Sequence, residues 1–353
     1  MHIVFLSERY GHASCEVRTL VPAMWINKYT DHTASAFDKL TWAQHGFWET
    51  VKNADVIIVH TPFMQFAEQL EAIKKRAPEK ILLFDMDDWY FDQFEQFHNG
   101  GWLLNRNEAV NRLVEVCDGI TIAGKGLYKR WKDMTDTPIA YIDNGFDLSL
   151  PYNNFEKVPY AHCATKVVWG GGGSHGRELE MFIKFGVLEG LYEHLEFDMF
   201  FHPLATGLVG ERPFRGGMVQ SGPPKSVDRY IYELYRDASF SVAPLVTDTL
   251  EYNTGTIIPD QLNHCRSGLK LIEAGVARMP CVASNTDSYM AYEGGVTIVE
   301  NKPQEWFNAM ATYIQDVDKR EADGAENRSI VEQYYDAPLL TQKRIDFINE
   351  LRS

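Results

Sequence analysis

The stretch Asn263-His264-Cys265-Arg266-Ser267-Gly268-Leu269-Lys270-Leu271-Ile272-Glu273-Ala274-Gly275 leads into Met279-Pro280-Cys281-Val282-Ala283-Ser284. Its pattern predicts a loop, a helix, a second loop and a short buried strand. Gly275 and Pro280 interrupt the helix before the apolar segment begins. This order of helix and buried strand is that of an α/β domain.

The same stretch carries the groups of an anion site. A helix N-terminus with free N–H groups, a glycine that admits close approach, and the basic residues Arg266 and Lys270 attract a negative group. Glu273 shares a helical face with Lys270 and lies one turn further in, where it can accept hydrogen bonds from sugar hydroxyls. A nucleoside diphosphate presents its groups in this order. An amphipathic helix with a solvated Lys270–Glu273 pair explains the spacing equally well.

Strand and helix patterns alternate along the rest of the chain. Apolar strands are predicted at 2–7, 55–59, 81–84, 119–123, 139–142, 166–169, 197–201, 240–243, 281–283 and 296–299. Helical patterns follow most of them, which predicts α/β architecture with two doubly wound sheets. We expect one domain at 1–155, a second at 156–335 and a last helix at 336–353, with a linker within 148–165.

Polar residues follow two neighbouring strands of the first predicted sheet. His60 ends one strand, and Asp85, Asp87 and Asp88 end the next. Carboxyl ends of parallel strands line the ligand crevice of an open α/β sheet, so these four are candidate catalytic residues. Clustered carboxylates raise one another's pKa, which favours a functional role. Simple capping of a strand end or loop is the alternative.

Two further loops offer anion-binding groups. Gly11 lies in the first strand-to-helix loop, and Arg18 lies in the first turn of the helix that follows. After the predicted strand at 166–169 comes Gly170-Gly171-Gly172-Gly173-Ser174-His175-Gly176-Arg177, in which glycines, a capping serine and an arginine suit a phosphate. A plain turn and an exposed arginine are the alternatives. The first loop lacks Gly-x-Gly-x-x-Gly, which argues against NAD.

Composition narrows the class of protein. The 353 residues carry a formal net charge of −15 and both halves are acidic, which argues against nucleic-acid binding by bulk charge. No apolar run reaches the length of a membrane helix, and the strand pattern that begins at Ile3 argues against a secretory signal. Cysteines 15, 117, 163, 265 and 281 are scattered, which predicts reduced thiols, a cytoplasmic protein and no zinc site.

Six segments, in order along the chain, resemble a GT-B glycosyltransferase of the retaining, family-four-like kind that uses nucleotide sugars. They are Glu16–Pro22, Asp85-Met86-Asp87-Asp88-Trp89, Asn144-Gly145-Phe146-Asp147, Trp169–His175, Val242-Ala243-Pro244-Leu245 and Arg266–Gly275. The resemblance implies two Rossmann-like domains facing across a cleft, the last helix crossing back to the first domain, and a UDP-sugar or related donor. It implies no tightly bound cofactor and no required divalent metal.

The resemblance also implies roles for individual residues. Asp85, Asp87, Asp88 and His60 would serve the acceptor in the first domain. The donor-binding set would be Gly11, Arg18, Gly172, Gly173, Ser174, His175, Arg177, Arg266, Ser267, Gly268, Leu269, Lys270 and Glu273. Within it, Gly268, Leu269 and Lys270 would hold the diphosphate and Glu273 the ribose. One departure stands out, because Cys265 occupies the position of a carboxylate in the family's Glu-x7-Glu pattern.

Several alternatives remain open at this level. The acceptor is either a saccharide or a hydroxymethylated base in DNA; Arg212, Arg215 and the aromatic loop at 89–102 allow the latter, which needs a base flipped out of the stack. Asp85-Met86-Asp87 fits an Asp-x-Asp metal site of another glycosyltransferase fold. A non-catalytic nucleotide-binding protein and an NAD-linked oxidoreductase are the remaining readings.

Overall fold

The computed structural model describes residues 1–8, 13–90, 104–159, 165–171, 178, 181, 184–201, 227–250, 257–259, 261–292 and 294–353. The chain forms two compact units. Unit 1 comprises Met1–Asn144, Cys265–Ser267 and Ala337–Ser353, and unit 2 comprises Gly145–His264 and Gly268–Asp336.

Unit 1 is built on a six-stranded, all-parallel sheet with the order β2-β1-β3-β4-β5-β6. The strands are β1 (His2–Ser7), β2 (Thr33–Asp38), β3 (Val56–His60), β4 (Ile81–Met86), β5 (Gly119–Ile122) and β6 (Ile139–Tyr141). The runs of Val, Ile and Leu in β3 and β4 are buried throughout, as parallel strands covered on both faces require.

The helices of unit 1 are α1 (Ala13–Cys15), a π-helical segment (Glu16–Leu20), α2 (Val21–Tyr29), α3 (Lys39–His45), α4 (Phe47–Val51), α5 (Met64–Arg76), α6 (Leu104–Val116), α7 (Lys125–Trp131) and the C-terminal helix, which is α15 (Ala337–Glu350). This last helix packs Ile345, Phe347 and Ile348 onto the apolar face of β1, β3 and β4. The π-helical segment carries Arg18, and π-helical turns are frequent at functional sites.

Unit 2 contains a five-stranded parallel sheet with the order β13-β12-β9-β7-β8 and a separate antiparallel pair, β10-β11. Its strands are β7 (Lys166–Trp169), β8 (Asp198–Phe201), β9 (Phe240–Ala243), β10 (Asp248–Leu250), β11 (Ile257–Pro259), β12 (Cys281–Ser284) and β13 (Val296–Val299). Two apolar clusters fill its core, one around Trp169 and Trp306 and one around Tyr235 and Leu271.

The helices of unit 2 are a 3-10 turn (Pro151–Asn153), α8 (Val187–Tyr192), α9 (Val227–Tyr235), α10 (Gln261–Cys265), which ends at the unit boundary, α11 (Leu269–Val276), α12 (Asp287–Met290), α13 (Pro303–Gln315) and α14 (Val317–Tyr334). Gly275 lies inside α11, and a Cβ there would stand 2.5 Å from Val331 Cγ2 and 2.7 Å from Asn327 Oδ1. Its function is therefore close packing of α11 on α14, not the helix break that the sequence predicts.

The predicted fold class is confirmed, because both sheets are parallel and flanked by helices. Three elements have no counterpart in the predicted strands and helices: Thr33–Asp38 forms an edge strand, and β10 and β11 lie between β9 and α10. Within the described ranges no helix combines the length and apolarity needed to span a bilayer.

Candidate functional site

The N-terminus of α11 in unit 2 has the form of an anion site. Gly268 precedes the helix, and its carbonyl oxygen accepts hydrogen bonds from the N–H groups of Leu271 and Ile272 at 2.9 and 3.1 Å. The N–H groups that come before Leu271 in the chain therefore precede the first hydrogen bonds of the helix. Among the described residues, the atom nearest to a Cβ built on Gly268 would be Tyr292 Cδ2 at 3.9 Å, so these residues leave space beside this backbone.

Glu273 lies one turn further along α11 and is buried. Tyr235 donates a hydrogen bond from its hydroxyl to Glu273 Oε2 at 3.0 Å, which fixes the carboxylate. Burial raises the pKa of Glu273 to about 7, against the charge of Lys270 and the Tyr235 hydrogen bond, which both lower it. The predicted Gly268, Leu269, Lys270 and Glu273 thus all lie at the N-cap or in the first five residues of one helix.

The carboxyl ends of β9 and β12 add polar groups to unit 2 that sequence reasoning missed. The Ser284 hydroxyl accepts a hydrogen bond from the N–H of Leu245 at 2.8 Å and donates one to Asn301 Oδ1. The Nδ2 group of Asn301 in turn donates a hydrogen bond to the Leu245 carbonyl oxygen. The buried side chain of Asn263, in α10, donates a hydrogen bond at 3.0 Å to Oε1 of Glu178, which is also buried. The sequence signal that could have identified them is the presence of short Ser and Asn side chains after the strands.

Six predicted donor-binding residues lie outside the described residues. They are Gly11, Gly172, Gly173, Ser174, His175 and Arg177. The arginines at 212 and 215 and positions 91–102 of the aromatic loop also fall outside them. Their assignments stay predictions.

In unit 1 the predicted rim contains a buried carboxylate at its centre. Asp85 is 0% exposed and is paired across the sheet with His60 on β3 and Thr121 on β5. Thr121 donates its hydroxyl hydrogen to Asp85 Oδ1. Burial opposes ionisation of Asp85, but Arg18 and His60 outweigh it and hold the pKa of Asp85 well below its usual range. Asp85 is therefore an inaccessible carboxylate whose surroundings favour the ionised form.

Arg18 faces this carboxylate and is 1% exposed. Its Nε donates to Asp85 Oδ2 at 2.8 Å and its Nη2 to Asp85 Oδ1 at 2.6 Å, while Nη1 donates to the Ile142 carbonyl and to Asn144 Oδ1. A guanidinium occupied on all three nitrogens by protein groups does not suit the predicted contact with the donor. The geometry assigns Arg18 to holding Asp85.

His60 lies between two carboxylates. Its Nδ1 is 3.2 Å from Asp85 Oδ2, and its Nε2 is 3.8 Å from Asp87 Oδ1. Burial lowers the pKa of His60, but Asp87, Asp85 and the neighbouring Cys15 raise it more, to about 10. The side chain is an imidazolium at neutral pH, so it can donate a hydrogen bond and does not serve as a base.

The backbone next to His60 is strained. Thr61 has a φ of 76°, which β-branched residues rarely adopt. Such strain clusters at functional sites and persists only where the surroundings enforce it.

Asp87 is the acidic side chain that reaches the surface of this cluster. Its side chain is 11% exposed, and Tyr90 donates a hydroxyl hydrogen bond to its Oδ1 at 2.8 Å. Asp88 follows and is also partly exposed. The four predicted catalytic residues are therefore together, but only Asp87 and Asp88 are accessible to a substrate.

Arg266 and Ser267 belong to unit 1, although they precede Gly268 directly. Ser267 Oγ accepts a hydrogen bond at 2.9 Å from Asn144 Nδ2, and Asn144 Oδ1 accepts from Arg18. Gly124, with a φ of 92°, approaches the same segment, since a Cβ there would lie 3.2 Å from the Cys265 carbonyl oxygen. Sequence reasoning gave Thr121, Asn144 and Gly124 no role in the site, because each acts through residues distant in the chain.

Neither metal ligation nor disulfide bonding is seen among the described side chains. No group of three His, Cys, Asp or Glu in these ranges could hold a metal ion. Cys15, Cys117, Cys265 and Cys281 are buried and form no disulfide with another described residue. Burial raises the pKa of the Cys281 thiol to about 12. Cys265, at the position where the family resemblance implies a carboxylate, is 0% exposed.

No protein-family model matches this chain, and no curated protein matches it either. Solved structures do match over nearly their whole length. Sucrose-phosphate synthase from Thermosynechococcus elongatus is 11% identical, with 99% of each chain covered and a TM-score of 0.69. HepE from Anabaena, solved with UDP and glucose, is 14% identical, with 98% of this chain and 99% of that chain covered and a TM-score of 0.69.

An α-glucosyltransferase solved with UDP is 12% identical, with 99% of this chain and 100% of that chain covered and a TM-score of 0.66. At such low identities the likeness establishes the fold and leaves the activity open. The chain has the GT-B fold of glycosyltransferases, as its six sequence segments predict.

Proposed function

We propose that this protein is a glycosyltransferase that moves a sugar from a nucleotide-sugar donor, with UDP-sugar favoured, to an acceptor hydroxyl with retention. The observation that carries the proposal is the start of α11, where the described residues leave space beside the Gly268 backbone, ahead of Lys270 and the buried Glu273–Tyr235 pair. The likeness to structures solved with UDP supports the choice of nucleotide.

The donor is assigned to the start of α11. The N–H groups at Gly268, Leu269 and Lys270 bind the diphosphate, aided by the positive end of the helix dipole and the Lys270 ammonium. The same groups stabilise the diphosphate as it leaves, because they are already oriented toward the developing negative charge. Glu273, held by Tyr235 through Oε2, accepts hydrogen bonds from the ribose.

The acceptor is assigned to the rim of unit 1. Asp87 accepts the hydrogen bond of the acceptor hydroxyl, whose oxygen forms the new bond to the anomeric carbon as the bond to the diphosphate breaks. The leaving diphosphate or Asp87 takes the hydroxyl proton. His60 is the imidazolium that fixes Asp87 electrostatically, and Asp88 gives a second hydrogen-bonding carboxylate.

A saccharide is the favoured acceptor. The net charge of −15 disfavours approach to the DNA backbone, so a hydroxymethylated base is retained only as one arm of the acceptor screen. A non-catalytic nucleotide-binding protein is the alternative function. The buried thiol of Cys265, in place of a carboxylate, favours it.

The test begins with a thermal-shift screen of UDP-, GDP-, ADP- and TDP-sugars, with NAD included. A donor well above its Kd should stabilise the fold by roughly 2–4 kcal/mol. The donor found is then incubated with mono- and oligosaccharides and with hydroxymethylated DNA, with and without EDTA. We expect transfer to a saccharide that persists in EDTA.

Two variants that each remove one lysine charge are compared, and the second serves as the control. Lys270→Ala should abolish the shift, while Lys302→Ala, on an exposed residue of the same unit, should preserve it. Binding without transfer or hydrolysis would favour the non-catalytic reading, and a shift with NAD alone would exclude the glycosyltransferase.

A further inference from the structure

Helix α15 faces a buried polar layer in unit 1. Phe5, Ile58 and Leu83 of β1, β3 and β4 pack against Ile345 and Phe347 of α15. Two residues further along each strand the same sheet face turns polar. We call this row of Ser7, His60, Asp85 and Thr121 the polar layer; each member is 0% exposed.

The register of the strands places the layer's members side by side. His60 is the direct partner of Asp85, and Asp85 is the direct partner of Thr121. Ser7 follows Leu6, which pairs with Val59, so it adjoins His60. The layer thus lies directly beneath the rim that carries Asp87.

Arg344 enters this layer from α15. It is 3% exposed, its Nη1 lies 3.7 Å from Asp85 Oδ1, and its guanidinium carbon is 5.6 Å from the centroid of the Phe5 ring. Among the described residues Nη1 has no hydrogen-bond partner, so the contact is an ion pair without a hydrogen bond. Burial lowers the pKa of Arg344 to about 10, with Asp85 opposing the change.

This arrangement is costly if it serves only to attach the helix. Desolvation of an arginine costs several kcal/mol, and an apolar side chain of similar volume would anchor a helix as well or better. Asp85 already has a bidentate partner in Arg18 and a third contact in His60. The additional charge of Arg344 acts on Asp85 itself, by holding it ionised and in place against His60.

We propose that Arg344 is a positioning residue that fixes Asp85 and, through Asp85, the orientation of the His60 imidazolium beneath Asp87. This inference rests on the proposed function, since it assigns Asp87 and His60 to the acceptor. It makes the C-terminal helix part of the acceptor machinery.

The test compares Arg344→Met with Lys343→Met, which removes the same charge from the adjacent exposed position. A misplacement of about 1 Å near the reacting groups costs about 10²-fold in rate, so kcat of Arg344→Met should fall by this order while KM for the donor stays within about twofold. The kcat–pH profile of Arg344→Met should keep the wild-type shape, because Arg18 and His60 still hold Asp85 ionised and only its position changes. Arg344→Lys should recover part of kcat.

The charged and titratable groups facing Asp85 in that profile are Arg18, His60, Asp87 and Arg344, with Cys15 beside His60. Lys343→Met should match the wild type in kcat and in the profile. Wild-type kcat in folded Arg344→Met would overturn the proposal, as would a loss that follows the unfolded fraction alone.

A second measurement needs no activity, so it separates this inference from the proposed function. Imidazole ¹⁵N and ¹H signals of His60, assigned by their loss in His60→Gln, should show a hydrogen-bonded imidazolium at pH 7. They should change in Arg344→Met, and in Arg344→Lys should lie nearer the wild type. An unchanged His60 spectrum in a folded Arg344→Met protein would refute the positioning role even if the wild type transfers no sugar.

Discussion

Arg18 binds Asp85 through two parallel hydrogen bonds, Nε to Oδ2 at 2.8 Å and Nη2 to Oδ1 at 2.6 Å, and both side chains are buried. The two residues are 67 positions apart in the chain. Bidentate geometry of this kind joins charge to orientation, and the guanidinium extends the connection to Asn144. The pair therefore fixes where the π-helical segment meets the end of β4.

Removal of either partner should be strongly destabilising. Asp85→Asn leaves the buried Arg18 guanidinium without its carboxylate, and Arg18→Met removes the bidentate partner of the buried Asp85, so each should lower the free energy of unfolding by about 3–5 kcal/mol. The double variant Arg18→Met with Asp85→Leu should lose less than the sum of the single changes. Urea unfolding of the four proteins measures these differences.

The surface ion pair Lys52–Glu49 provides the matched control, since its side chains are 44% and 57% exposed. Lys52→Met should change the free energy of unfolding by less than about 1 kcal/mol. Equal losses at the buried and exposed pairs would contradict the burial argument.

Local patterns were sufficient to predict the fold class, because parallel strands are continuous apolar runs and the helices between them have their own periodicity. They also identified His60 and Asp85 as members of one rim, since strand ends meet at one edge of a sheet. The side-chain partner of Arg18 was not predictable from the sequence. Its partner lies on another strand, and a spacing of 67 residues carries no local signal.

The start of α11 was predictable for a different reason. Gly268, Lys270 and Glu273 are local to one helix, so their spacing alone places them together. The burial of Glu273 and its bond to Tyr235 depend on packing between α11 and α9, which the spacing does not contain. The predicted helix break at Gly275 was wrong for the same reason, because the glycine is required by close packing against the neighbouring α14.

Gly268→Ala should separate ligand binding from folding. The residue has an ordinary φ of −74°, and no atom of the described residues lies nearer than 3.9 Å to the added methyl group, so the thermal midpoint should shift by no more than about 3 °C. In the proposed function the diphosphate approaches this same backbone, and the methyl group blocks it. UDP affinity, measured by calorimetry, should fall more than about tenfold, equivalent to about 1.4 kcal/mol.

Gly190→Ala is the matched control. Its added methyl would make an ordinary contact with Phe307 at 3.4 Å, away from α11. UDP affinity should be unchanged in this variant. If Gly268→Ala binds UDP as the wild type does, the diphosphate does not lie against the start of α11.

Asp87→Asn should reduce turnover without loss of donor binding. The substitution keeps the hydrogen bond from Tyr90 but removes the charge that accepts the acceptor's proton, so kcat should fall about 10²–10⁴-fold. Tyr90→Phe removes only the orienting hydroxyl and should have a smaller effect. Steady-state kinetics with saturating donor and varied acceptor distinguish the two.

Asp31→Asn, at an exposed position of unit 1, controls for the loss of one negative charge. It should leave kcat and both KM values as in the wild type. If kcat is undiminished in Asp87→Asn, Asp87 is not the base, and Asp88 or the leaving diphosphate takes the proton.

The burial of Glu273 predicts a pH dependence with a definite sign. Its pKa is raised to about 7 from an ordinary 4.5, so the folded state favours the protonated carboxyl. Its contribution to stability is therefore fully present below about pH 4.5 and is lost as the pH rises through 7. Donor binding should have the opposite trend, because the ionised carboxylate is the better acceptor for ribose hydroxyls. UDP affinity should rise between pH 6 and pH 8.

Calorimetric titration of UDP at several pH values, in a buffer set of matched ionic strength, measures this rise. Glu273→Gln cannot ionise, so both its affinity and its unfolding free energy should lose the step near pH 7. Tyr235→Phe removes a hydrogen bond that favours the ionised form, so its step should move to higher pH. A step of equal size and position in all three proteins would assign the titration to another group, such as the UDP phosphates, and Glu273 would then have no part in binding the donor.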